Sequence, residues 1–259
     1  MPFMMITTLV AIALFVGMLA TNDLGRRIGI ARLAKDPEGL TKGAGAAEGA
    51  VFALMGLLLA FTFSGAASRL EERRWMVNTE ANAIGTAYLR VDLLPPETQA
   101  PLRDAFHRYA TNRATLFRDL DTQDQLEARR AEGYRMQLEI WDLAIAACEL
   151  PGASPQASML LLPALNEMID ITGTRKMATL NHPPVIIFAL LAILSLIGGL
   201  LVGYTTSPNK DRSWLHQATF ALVTSLAFFV ILDLEYPRLG LINVNAADQA
   251  LVELAATMR

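Results

Sequence analysis

The sequence predicts an all-α integral membrane protein: four transmembrane helices, with a helical bundle inserted between the second and the third. Three observations carry this. Apolar residues make up 53% of the chain and gather in four blocks, each about long enough to cross ~30 Å of hydrocarbon. The long polar stretch between the second and third blocks repeats apolar residues at helical spacing four times over. No segment alternates apolar and polar residues as a half-buried strand would.

The first block, Phe3–Ala20, lacks the basic start of a secretory signal, and three further spans follow. It therefore reads as a retained helix. A polar connection, 21–48, comes next, with a short amphipathic helix around Ile28–Leu33. The second block, Gly49–Ala67, is free of charge and runs without a proline into SRLEERRWMVNTEANAIGTAYLR. A helix that leaves the bilayer as a stalk couples a membrane element to a domain outside it.

That domain covers 68–182. Leu70, Val77, Ile84 and Val91 recur every seven residues, with Ala81 and Tyr88 on the same face, until Pro95-Pro96. Leu102, Phe106, Tyr109, Arg113, Leu116 and Leu120 mark a second helix. Ala131, Tyr134, Leu138, Trp141, Ile145 and Cys148 mark a third, broken by PGASP. Leu162, Leu165, Ile169, Thr172 and Lys176 mark a fourth, ended by Asn181-His182-Pro183-Pro184. The third and fourth spans, Pro184–Tyr204 and Trp214–Leu234, are joined by a short turn at 205–213. The organisation is thus 1–67, 68–182, 183–236 and a tail, 237–259, whose last part patterns as a helix. Trp214, Tyr204 and Tyr236 fall at span ends, where amphipathic rings favour the headgroup layer.

Composition limits the chemistry. A net charge of −3 without long single-sign runs argues against a nucleic-acid surface. The lone Cys148 excludes an internal disulfide and a cysteine-based zinc site, and it reads as a small core residue. Walker, G-x-S-x-G and H-E-x-x-H motifs are missing, and His107, His182 and His216 fall in different elements. The expectation is a non-enzyme without cofactor or metal.

Four sets of residues are candidates for function. Small residues line one face of the second span, Gly49, Ala53, Gly56 and Ala60, with Ser64 and Ala67 continuing it; Ser195, Gly199 and Gly203 do the same on the third. Such faces let helices approach closely, within a chain or between subunits. Leu54, Leu58 and Phe61 follow one another at i, i+4 and i+7. They are either a lipid-facing or core stripe or, around an oligomer axis, an apolar neck that gates by dewetting. Arg69, Glu72, Arg73 and Arg74 form either a solvated collar or a charged pore vestibule. Asp233 and Glu235 close the fourth span, as a cation site or as partners for a nearby arginine.

The run LLLAFTFSGAASRLEERRW resembles the second-span exit of bacterial bestrophins, matching at Leu58, Leu59, Phe61, Arg69, Glu72 and Arg74. EANAIGTAYLRVDLLPP, ALNEMIDITGTRKMATLNHPP and LDLEYPRLGLINV resemble the bestrophin-like family of bacterial membrane proteins, a likeness running from Glu48 to Val244. Thr62 and Phe63 follow Phe61 where bestrophins usually have Arg, and the acidic run after the fourth span is reduced to Asp233 and Glu235. The resemblance implies a homo-oligomer, pentameric in bestrophins, with a pore along the second span and inorganic anions as permeant species. It also implies a bundle on the cytoplasmic side of the bacterial inner membrane. The distribution of Arg and Lys around the spans, taken alone, leans slightly to the opposite orientation. A non-conducting membrane sensor or scaffold that signals through the stalk and bundle is the second functional class.

Overall fold

The computed structural model describes residues 2–35, 44–118, 120, 122–209 and 214–258. Lys42, Lys210 and Arg212, which entered the charge count around the spans, lie outside them. Most of the described residues are helical, with no strand among them. The helices are α1 (Pro2–Leu33), α2 (Ala44–Arg90), α3 (Pro96–Thr115), α4 (Gln123–Cys148), α5 (Pro155–Leu180), α6 (Val185–Thr205), α7 (Trp214–Glu235) and α8 (Asn245–Thr257). A 3-10 turn, Val91–Leu93, separates α2 from α3. Among the described residues, four helical stretches are long and apolar enough to cross a membrane, and they contain the four blocks read from the sequence.

Local sequence sets the ends. Pro95 and Pro96 open α3, because proline fixes φ and lacks an N–H that a first turn would leave unbonded anyway. Thr122 and Gln125 cap each other's backbone at the start of α4. Gly152 turns the chain between α4 and α5 at φ +94°, a conformation open to glycine. Pro183-Pro184 separates α5 from α6.

The chain forms two compact units. The first comprises Met1–Leu70 and His182–Asn243, the second Glu71–Asn181 and Val244–Arg259. α2 supplies residues to both.

In the first unit, Leu14, Met18, Leu191, Ala221 and Phe228 of α1, α6 and α7 form the core. α1 and α6 meet backbone to backbone. A Cβ on Gly203 would overlap the Asn22 carbonyl, one on Gly25 the Leu200 carbonyl, and one on Gly199 would lie 2.7 Å from the Met18 oxygen. Without a hydrophobic drive between helices in lipid, such close approach supplies the van der Waals contact that holds them. Asn22, buried, donates from Nδ2 to the Gly199 carbonyl at 3.2 Å. The segment Ile28–Leu33 is not a separate helix but the end of α1. Arg26 carries α1 past the apolar block by donating to the carbonyls of Thr206 (3.2 Å) and Asn209 (2.9 Å), where α6 ends.

In the second unit, α2, α3, α4, α5 and α8 enclose one core, in which Ile84, Phe106, Tyr109, Ile140, Leu165 and Leu251 are fully buried. The buried face of α4 lies one residue away from the expected stripe. Gly133, Gln137, Ile140, Ala144 and Ala147 point inward, whereas Tyr134 and Leu138 are exposed. Small side chains let the helices close up, and Gln137 brings its own partner, donating to the Tyr109 hydroxyl at 2.8 Å.

Candidate functional site

Within the first unit, α2 buries Met55, Thr62, Ala66 and Leu70, and Phe52 meets Phe220 edge to face at 5.5 Å. The opposite side is exposed. Gly49, Ala53, Gly56, Ala60 and Ser64 are all exposed, and nothing stands within 4 Å of a Cβ built on Gly49 or Gly56. At 3.6 residues per turn these five positions fall within an arc of about 80°. Beside that arc lie Leu54, Leu57 and Phe61, which are 48%, 52% and 66% exposed. Leu58 turns the other way, half-buried against the core. Leu57 was absent from the sequence stripe. Its position, three after Leu54 and four before Phe61, is the signal that places it on their edge.

The small residues of the third span have a different fate. Ser195, Gly199 and Gly203 are buried, the two glycines on the α1 backbone. That face is therefore occupied within the chain, while the face on α2 is bare.

The charges at the end of the fourth span are compensated inside the first unit. Glu235 is fully buried and accepts from Arg69 Nε at 3.0 and 3.2 Å, and from Arg69 Nη2. His182 Nδ1 stands 3.4 Å from the same carboxylate, and its ring stacks on Tyr236 at 4.5 Å. Asp233, also buried, accepts from the amides of Leu241 (2.9 Å) and Ile242 (2.8 Å). The loop folds back so tightly that a Cβ on Gly240 would overlap the Asp233 carboxylate. Both carboxylates thus face protein donors. Among the described residues no group of three His, Cys, Asp or Glu is placed to hold a metal ion.

The remaining collar residues belong to the second unit. Arg73 is buried and donates to the carbonyls of Ala178 (3.1 Å) and Asn181 (3.0 Å), closing the end of α5. Arg74 pairs with Glu71 at 2.8 Å on the surface. Glu72 is exposed beside a shallow groove of about 410 Å³ lined by Met76, Met177 and Leu180.

Deeper in that unit lies a charged cluster that the sequence did not single out. Glu80, fully buried, accepts from Arg113 of α3 and Arg175 of α5. Burial alone would lower the pKa of Arg113, but the charge and hydrogen bond of Glu80, with Tyr109 and Asp248 adding to them, together outweigh it and keep the guanidinium protonated. Burial likewise pushes the Tyr109 hydroxyl well above its usual range, so it stays neutral. The signal was present: Arg113 falls on an otherwise apolar stripe, and a buried arginine calls for acceptors, most effectively a buried acid.

Four helical stretches long and apolar enough to span a bilayer, one of them with a bare small-residue face edged by large apolar side chains, define an integral membrane protein. The chain belongs to the bestrophin-like family: the Bestrophin-like domain matches residues 41–248. A point variant of a bacterial bestrophin homolog from Klebsiella pneumoniae is similar over 93% of this chain and 99% of its own, with 16% identity and a TM-score of 0.68. A second variant gives 17% identity and a TM-score of 0.68, covering 94% and 99%. The same homolog solved by Zn-SAD phasing gives 18% and 0.65, covering 93% and 98%. At these identities the likeness speaks to the fold. No curated protein matches the chain.

Proposed function

We propose that this chain forms an oligomeric ion channel, with its pore along α2. The carrying observation is the exposed side of α2. Its small-residue arc suits contact with a neighbouring copy, and Leu54, Leu57 and Phe61 suit an apolar constriction at the axis. Membership of the bestrophin-like family supports the reading, and the likeness to bestrophins carries five subunits, a cytoplasmic bundle in the inner membrane, and anions as the permeant species. The collar arginines do not add to the anion preference. Arg69 is neutralised by Glu235, Arg73 closes α5 and Arg74 is paired with Glu71. Selectivity in this proposal is set elsewhere along the pore.

The test is ion flux in liposomes holding the purified protein, with chloride and potassium gradients applied separately. Chloride flux supports the channel and its sign. Potassium flux alone keeps the pore and refutes the anion preference. An intact oligomer that passes neither ion refutes the channel and leaves the scaffold reading.

A further inference from the structure

The buried cluster of the second unit carries an excess charge. Glu80 is one carboxylate set between two guanidiniums, Arg113 and Arg175. One positive charge is left over, and Asp248 in the first turn of α8 balances it, 3.9 Å from Arg175. The cluster is closed at one end and open at the other. The Glu80 and Arg113 side chains are 0% and 8% exposed and Arg175 10%, but Asp248 is 20% exposed, and its contact is the longest of the three.

A guanidinium binds carboxylate and phosphate oxygens alike, best through two N–H groups at once. The Arg175–Asp248 contact is loose by that standard. Apolar contact also holds α8, with Leu251 and Met258 buried and Leu254 over Gly85. The geometry points to an oxyanion seat on Arg175 that Asp248 occupies, so that a small oxyanion in solution competes with the first turn of α8 for it. The present occupant, the Asp248 carboxylate, defines the class of ligand. The inference stands apart from conduction, since every residue in it lies in the second unit.

The experiment is hydrogen exchange of the α8 amides in the full-length protein in detergent, comparing inorganic phosphate with gluconate at equal ionic strength and pH. An ion pair of this exposure supports about a five-fold change in local opening. Phosphate is expected to speed α8 exchange by about that factor, and Asp248→Asn to do so without phosphate. In Asp248→Asn the seat has no internal competitor, so phosphate raises the melting temperature more than in the wild type. Arg175→Gln abolishes the phosphate effect, and Arg175→Lys keeps part of it. If Arg175→Gln fails to fold, Asp248→Asn carries the test alone. Unchanged α8 exchange in phosphate, or an effect that survives in a folded Arg175→Gln, overturns the proposal. Loosening of α8 in phosphatidylglycerol vesicles but not in free phosphate overturns it too, because the anion would then be a lipid headgroup.

Discussion

Replacing Glu80 by Gln tests what holds the second unit together. The side chain keeps its size and one acceptor but loses the charge between Arg113 and Arg175. Glu80 is fully buried and Arg113 is 8% exposed, so water cannot replace the lost carboxylate. Removing one partner of a buried pair leaves an uncompensated charge and costs about 3–5 kcal/mol. In a domain of roughly 100–150 residues each kcal/mol moves the melting temperature by about 4 °C, giving a fall of about 12–20 °C. Intrinsic fluorescence follows it: Trp75 and Trp141 belong to the second unit and Trp214 to the first. A control separates charge from shape. Glu80→Leu combined with Arg113→Met removes one charge of each sign and leaves Arg175 with Asp248, and apolar replacements of buried pairs are often neutral. The double variant should therefore melt well above Glu80→Gln. A fall of less than about 4 °C in Glu80→Gln, or a double variant that melts below it, refutes the electrostatic account.

Three further predictions concern the first unit. Gly203→Val drives a side chain into the Asn22 carbonyl and should sharply reduce the yield of folded monomer in size-exclusion chromatography, whereas Gly56→Val, with open space around it, should leave the monomer intact and weaken the oligomer in cross-linking. Arg69→Ala strands the buried Glu235 charge and should cost about 3–5 kcal/mol in thermal melts, with Arg69→Lys recovering part of the loss; equal losses for both would deny the pair its role. Leu57→Ala and Phe61→Ala should change single-channel conductance with little effect on melting, whereas Leu58→Ala should lower the melting temperature, since Leu58 packs against the core; the opposite pattern in bilayer recording would place Leu58 on the axis.

What was legible in the sequence follows from which forces act on single elements. A spanning helix must be apolar over about twenty residues whatever its neighbours do, so four of them could be read directly. The extension of α1 to Leu33 could not. Asp23, Arg26 and Arg27 read as a polar connection, and the helix continues through it because Gly25 and Gly29 pack on the end of α6 and Arg26 reaches the carbonyls of Thr206 and Asn209 just past it. The face of α4 was displaced for a similar reason. Helical spacing marks large apolar residues, but the buried positions are Gly133, Ala144, Ala147 and a satisfied Gln137, whose fitness depends on what stands opposite. For the candidate site, the α2 face was visible as a pattern of small residues, and its bareness was not, because exposure belongs to the folded chain. Pairing of Glu235 with a nearby arginine was one of the two readings the sequence allowed. That the arginine is Arg69, 166 positions away, is decided by the packing of helices.

The family motifs gain physical roles from this. EANAIGTAYLR and the ITGTRK part of the second motif meet through Glu80 and Arg175, and LDLEYPRLGLINV closes on Asp233 while Glu235 holds Arg69. Glu80 and Glu235 are buried against arginines from elsewhere in the chain and Asp233 against amides of its own motif, and none of the three motifs places a charged side chain on the bare arc of α2. These charged residues therefore act within the two folded units, and the exposed side of α2 consists of a Gly, Ala and Ser arc with Leu and Phe beside it. With the proposed constriction at Leu54, Leu57 and Phe61, an ion would cross by wetting a gap between side chains that offer no charge to bind it.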